Sequence, residues 1–232
     1  MISVNKLIKK YGNTVVLEVP EMTIPKGQCF GLVGNNGAGK TTLFRLILDL
    51  IPVSDGEVSI DGKSVATHEN WKRYVGSYLD EHMLLTFLTP DEYFSTLSKI
   101  YGLSDRDLEE HLEKYEFLFN GEIRGVKKYI RDLSKGNIKK VGIAAAFLGN
   151  PQIVILDEPF ENLDPTSQNR LKSIILNELK DKNTTFLISS HDLTHVTDVC
   201  DRIVLLERGM IIQDLKGERS EMSQALSDYF NR

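Results

Sequence analysis

Apolar and polar positions fall into short runs whose period changes along the chain. Ile2 to Leu7, Val15 to Ile24 and Cys29 to Val33 read as strands, punctuated by Gly12-Asn13 and Pro25-Lys26-Gly27. Helical spacing follows at Leu43, Phe44, Leu46, Ile47 and Leu50, predicting a helix over Thr41 to Leu50 that Pro52 stops. Glu57 to Ile60, between Asp55-Gly56 and Asp61-Gly62, and Tyr74 to Leu79 are further strands.

From Thr89 to Asn150 the pattern becomes helical. Thr89-Pro90-Asp91-Glu92 has the composition of a helix start: a threonine cap, proline in the first turn, and acids near the positive end of the helix dipole. Strand and helix then alternate again: Ile153 to Leu156, a helix near Ser167 to Leu179, Thr184 to Ile188, a helix near Leu193 to Cys200, and Ile203 to Leu206. Met210 to Ile212 and a helix from Arg219 to Phe230 complete the chain's elements. Strands separated by helices imply a parallel sheet with helices on its faces. One domain over 1–232 is expected, with 89–150 as a helical insert between 1–88 and 151–232.

The chemistry begins where the third strand meets the first helix. Gly34-Asn35-Asn36-Gly37-Ala38-Gly39-Lys40-Thr41 matches GxxxxGK[ST] at every fixed position. Its glycines let successive N–H groups converge on phosphate oxygens, and the helix behind presents its positive dipole end. Lys40 is expected to reach the β- and γ-phosphates and Thr41 to offer its hydroxyl to Mg²⁺.

Ile153 to Leu156 runs into Asp157-Glu158-Pro159. Two acids after an apolar strand are often ordinary loop residues, but with a phosphate loop upstream they acquire roles: Asp157 for Mg²⁺, Glu158 to polarise the attacking water. His191, after Ser189-Ser190, also follows a core strand. The carboxyl ends of such strands share one ligand-binding edge, so Gly34, Asp157 and His191 are expected to converge, with His191 at the γ-phosphate or water. His191 and His195 have the i, i+4 spacing of a helical metal pair, but no further ligand set accompanies them.

Composition narrows the setting. A net charge of −5 and the mainly acidic cluster from Asp105 to Glu116 argue against nucleic acid as a partner. Two cysteines and the early lysines Lys6, Lys9 and Lys10, which interrupt any apolar leader, suggest a reducing, cytoplasmic compartment. No apolar run approaches the roughly 20 residues that span a bilayer.

Together these elements resemble the ABC (ATP-binding cassette) ATPases over essentially the whole chain. Leu133-Ser134-Lys135-Gly136-Asn137 is similar to that family's LSGGQ signature, with Lys135 and Asn137 departing from it. Asn162-Leu163-Asp164 resembles the D-loop, Ser190-His191 the switch-histidine region, and Tyr11 the aromatic that stacks on adenine. The resemblance implies an α/β P-loop NTPase with a RecA-like parallel core, an antiparallel β subdomain and an inserted α-helical signature subdomain. It implies ATP and Mg²⁺ as cofactors and extends nucleotide contacts to Thr42, Ser134, Gly136 and Asn137. At the place where the family carries a glutamine near the metal stands Asp80, or with a shift of one residue Glu81. A carboxylate there implies either altered metal affinity or slower hydrolysis, or simple tolerance, since aspartate also offers oxygen to a hard cation.

The implied partners are a second copy or homologous cassette, paired head to tail, and integral membrane permease subunits that hold the chain at the inner face of the membrane. The Leu133 to Pro165 region resembles stand-alone subunits of bacterial export systems. The alternative is a soluble ATPase of the same family in an assembly scaffold, such as iron–sulfur cluster biogenesis. Co-purification of an integral membrane protein discriminates the two.

Overall fold

The computed structural model describes residues 1–230. A ten-stranded mixed sheet organises it, in the order β5-β4-β1-β2-β10-β9-β3-β8-β7-β6. Strands β3 (Cys29–Val33), β6 (Val75–Tyr78), β7 (Ile153–Leu156), β8 (Thr185–Ser190) and β9 (Arg202–Glu207) form its parallel part. Strands β1 (Ile2–Tyr11), β2 (Thr14–Ile24), β4 (Asp55–Ile60) and β5 (Lys63–Ser64) pair antiparallel. Strand β10 (Met210–Lys216) joins the two parts, antiparallel to β9 and parallel to β2.

The parallel strands are buried on both faces, and their alternation divides the core in two. Phe30 and Leu32 of β3, Ile153 and Ile155 of β7 and Leu187 of β8 pack with helix α1 (Lys40–Ile47) and the inner residues of β1, β2 and β4. Val33, Val154, Leu156, Phe186 and Ile188 face the other way. There they meet α2 (Pro90–Tyr101), α3 (Asp105–Phe119), α4 (Lys135–Ala146), α5 (Pro165–Lys182), α6 (Leu193–Val199) and α7 (Arg219–Phe230). Helices α2 to α4 interrupt the strand–helix alternation between β6 and β7.

Local chemistry sets the helix ends. Thr89 caps α2 in a reciprocal capping box with Glu92, as its sequence predicts, and Ser104 and Asp107 do the same for α3. Asp164 caps α5 through Ser167, with Pro165 in the first turn. Helix α1 ends at Ile47, three residues before the expected Leu50, because the chain turns left-handed at Asp49 (φ 50°) and needs no proline to stop it. Strand β1 outruns its apolar stretch because β2 pairs with it through a bulge at Lys9/Lys10.

Candidate functional site

Strand register brings the predicted residues to one edge. Val33 lies opposite Ser190 in the β3–β8 pair, Leu156 opposite Ile188 in β7–β8 and opposite Tyr78 in β6–β7. The loops leaving these ends therefore carry Gly34, Asp157 and His191 to neighbouring points, and Asp80 beside them.

Residues Asn36 to Thr42 line a cleft of about 330 Å³ together with Tyr11, Val16, Asp157 and Glu158. Gly34 and Asn35 stand behind it, against Leu206 to Arg208. Gly34 admits no side chain, since a Cβ there would sit 2.2 Å from the Leu206 carbonyl oxygen. Gly39, at φ 108°, turns the loop into α1. No side chain caps that helix, so its first N–H groups face the loop as an anion-binding end. Tyr11 is 56% exposed, with the Lys9 ammonium over its ring 4.9 Å from the centroid.

Lys40 is buried and committed to the site. Its Nζ donates to the Gly34 carbonyl at 2.6 Å and stands 3.1 Å from Glu158 Oε1. That carboxylate oxygen is buried and accepts no hydrogen bond, so the contact is an ion pair without hydrogen-bond alignment. Thr41 donates its hydroxyl to Asp157 Oδ2, and Ser189 donates to Asp157 Oδ1. Burial raises the Asp157 carboxyl above its usual range, and the two hydroxyls oppose the shift.

Glu158 has a left-handed backbone, φ 48°, which a residue with a side chain adopts only under constraint. Its N–H donates to Ser189 Oγ at 2.9 Å, and its carbonyl accepts from Lys139 Nζ at 2.6 Å. Its Oε2 accepts the His191 N–H at 3.2 Å and faces His191 Nδ1 at 2.9 Å. A carboxylate only accepts, so Nδ1 carries the proton and Nε2 remains for another partner. Glu158 is thus held by four residues, Ser189, Lys139, His191 and Lys40, with Oε1 buried against Lys40 and Oε2 taken by His191.

A second cleft, of about 270 Å³, shares Asp157 and Glu158 and adds Asp80, Glu81, Lys135, Lys139 and Glu161. Asp80 accepts from the His82 N–H at 2.8 Å and pairs with Arg45 of α1 at 3.2 Å. Ser134, Gly136 and Asn137 stand apart from the phosphate cleft at the start of α4, where Ser134 accepts the Asn137 N–H. Gly136 lies against the Asn162 backbone, where a Cβ would come within 2.7 Å of its carbonyl oxygen. His191 precedes α6, so it shares no helical face with His195, whose Nε2 is 3.6 Å from Asp192. Among the described residues, no three His, Cys, Asp or Glu side chains are grouped as metal ligands.

Two residues escaped the sequence reading. Ser189 ties the two acids together, and Lys139 reaches the Glu158 carbonyl from α4, the helix that precedes β7. Their positions depend on strand register and helix docking, which local pattern does not encode.

The family described as "ABC transporter" matches residues 17–161. The ABC transporter ATP-binding protein YhaQ of Bacillus subtilis is 32% identical over 225 residues, covering 97% of this chain and 74% of that protein. The lantibiotic transport ATP-binding protein SrtF of Streptococcus pyogenes is 31% identical over 226 residues, covering 97% and 95%. The bacitracin transport ATP-binding protein BcrA of Enterococcus faecalis is 32% identical over 218 residues, covering 93% and 69%. Among solved structures, an ATP-binding subunit of an ABC transporter superposes with a TM-score of 0.84 at 31% identity, covering 97% of this chain and 93% of its own. The dimeric cassette MJ0796 bound to ADP and Pi shares the fold, with a TM-score of 0.82 at 23% identity over 93% of this chain and 98% of its own. The chain belongs to the ABC transporter family, as one of its ATP-binding ATPase cassettes.

Proposed function

We propose that this chain is the motor subunit of an export-type transporter, closing on ATP with a second copy or a homologous cassette and driving separate membrane subunits. The observation that carries it is Glu158 locked beside Lys40, Asp157 and His191 at the mouth of the phosphate loop. Lys40, the loop N–H groups and the start of α1 bind the triphosphate. Tyr11 stacks on the base, and Glu158 takes the proton of the attacking water while His191 orients the carboxylate.

The Thr41 hydroxyl and the buried Asp157 carboxylate, already in contact, are the hard oxygen donors that suit Mg²⁺. When bound, the ion neutralises charge on the phosphates. Asp80, in the adjoining cleft, adds a further carboxylate near this pair.

Ser134, Gly136 and Asn137 stand outside their own chain's phosphate cleft, and this supports their use on the nucleotide of a second cassette. We assign residues 89–150 to the helical subdomain that presents them. Membrane subunits have a suitable surface on that side: Met83, Leu85, Phe87 and Tyr129 are exposed apolar side chains. Backbone bonds from Ile130 to Leu88 and from Arg131 to Thr86 hold their segments together. Among the described residues no helix is long and apolar enough to cross a membrane, so such partners would hold the chain at the inner face. Relatives named for lantibiotic and bacitracin transport support the transporter reading, and the resemblance of residues 133–165 to export subunits supports the direction.

Replacing Glu158 with glutamine tests the mechanism. The variant is expected to bind ATP, lose about 10²- to 10⁴-fold in turnover, and accumulate as an ATP-bound dimer in size-exclusion chromatography. Wild-type turnover, or a monomer at saturating ATP, overturns the reading.

A further inference from the structure

Lys139 lies on α4, five residues after Ser134 and so roughly one and a half turns into the helix. It is 8% exposed, and its Nζ donates to the Glu158 carbonyl at 2.6 Å with Glu161 Oε2 3.9 Å away. Of the four groups that hold Glu158, Ser189 and His191 come from β8 and the loop after it and Lys40 from the start of α1; Lys139 alone comes from the helix whose first turn carries the signature residues.

Helix α4 does not need Lys139 to dock. Its Gly142 packs so closely on Tyr78 that a Cβ would stand 2.2 Å from the ring, and Gly76 of β6 approaches the Ala146 carbonyl more closely still. Ile138, Val141 and Ile143 are buried in the same core. What Lys139 adds is a charged donor on one backbone oxygen, that of a residue with left-handed φ. A hydrogen bond from a charged donor is among the stronger restraints available in a buried site.

We propose that Lys139 is a positioning residue: it fixes the backbone of Glu158 and thereby ties the signature helix to the hydrolytic carboxylate of the same chain. This rests on Glu158 being the water-polarising base. A displacement at the start of α4 is passed through about one and a half helical turns to Lys139, and from there to the residue that aims the water.

The test compares Lys139→Met, which keeps the apolar stem and removes the donor, with Lys139→Gln, which restores a shorter amide donor. Each is made in the wild-type chain and in Glu158→Gln. Lys139→Met is expected to lower kcat by about tenfold to a hundredfold with the Kd for ATP little changed, and to lower the unfolding temperature modestly because the Glu158 carbonyl loses its donor. Lys139→Gln is expected to recover part of the loss. In the Glu158→Gln background neither substitution should lower the residual rate further, because the group being positioned is already gone. Wild-type turnover in Lys139→Met beside an inactive Glu158→Gln overturns the proposal. So does a loss of ATP affinity that matches the loss of rate, or an additive loss in the double variant, since both mark a packing role. Wild-type turnover in Glu158→Gln alone removes the base assignment, and the positioning role with it.

Discussion

Ser189→Ala removes one oxygen that does two jobs. Ser189 is fully buried, accepts the Glu158 N–H at 2.9 Å and donates to Asp157 Oδ1. Without it a backbone donor and a carboxylate oxygen each lose a partner in a site where burial already works against the Asp157 charge. Each unpaired buried group costs about 1–3 kcal/mol. The phosphate cleft adjoins both residues, so water entering it recovers some of that loss. A net destabilisation of about 3 kcal/mol follows, lowering the Tm by roughly 6–12 °C for a chain of this size. Ser190→Ala is the control, because that hydroxyl accepts one N–H, from Asp192, and its loss should cost about 1 kcal/mol. Thermal unfolding followed by far-ultraviolet circular dichroism, with the single tryptophan, Trp71, as a second probe, measures both variants. Turnover should fall with stability in Ser189→Ala, since the Glu158 backbone loses its N-terminal restraint. A Ser189→Ala Tm equal to wild type, or to that of the control, would show that the bridge contributes no more than an ordinary hydroxyl.

Two further outcomes follow from the geometry. Asp214 receives two charged hydrogen bonds from the buried Arg202, at 2.7 and 2.6 Å, and this holds its carboxyl below the usual range. Because the folded pKa is depressed, the pair's stabilisation is present above 3.8 and is lost as the pH falls through the lower folded value. Asp214→Asn should therefore cost about 1–2 kcal/mol at pH 7, after discounting for the partial exposure of Asp214. The gap from wild type in urea midpoint should close in acid; a gap that widens there refutes the assignment. Asp80→Gln removes an anionic oxygen beside Asp157 and Glu158 and breaks an exposed pair with Arg45. It is expected to raise the Mg²⁺ concentration needed for half-maximal ATPase rate and to change stability by no more than about 0.5 kcal/mol; superimposable Mg²⁺ titrations would exclude a metal role for Asp80.

Much of the fold was legible because the deciding forces are local. Buried parallel strands such as Ile153–Leu156 are continuous apolar runs, and Thr89 with Glu92 writes a helix start into four residues. Elements missed or cut short depend on the strand they pair with rather than on their own pattern. Strand β10 continues to Lys216 because β9 pairs with it, although its own burial merely alternates between half-buried and exposed. Strand β5 is two residues long and exists through its pairing with β4. The end of α1 went the other way, where one left-handed aspartate outweighed a plausible apolar continuation and a proline.

The same division runs through the site. Gly34 to Thr41 could be read directly, because the phosphate binding proposed there needs only backbone N–H groups and the spacing of one loop. Asp157 and His191 could be read one step less directly: each follows a core strand, and strand ends in a parallel sheet share an edge. Ser189 fails both tests, since its side chain acts sideways, from β8 to the residues after β7. A serine inside a strand carries no mark of which neighbour it will meet. Lys139 is further removed, because its role depends on how α4 settles against β6 and on Glu158 turning its carbonyl towards that helix. The groups proposed to contact nucleotide are thus set by short-range pattern and those that hold Glu158 by tertiary register. It follows that a substitution such as Ser189→Ala or Lys139→Met can leave every recognisable motif intact and still disarm the chain.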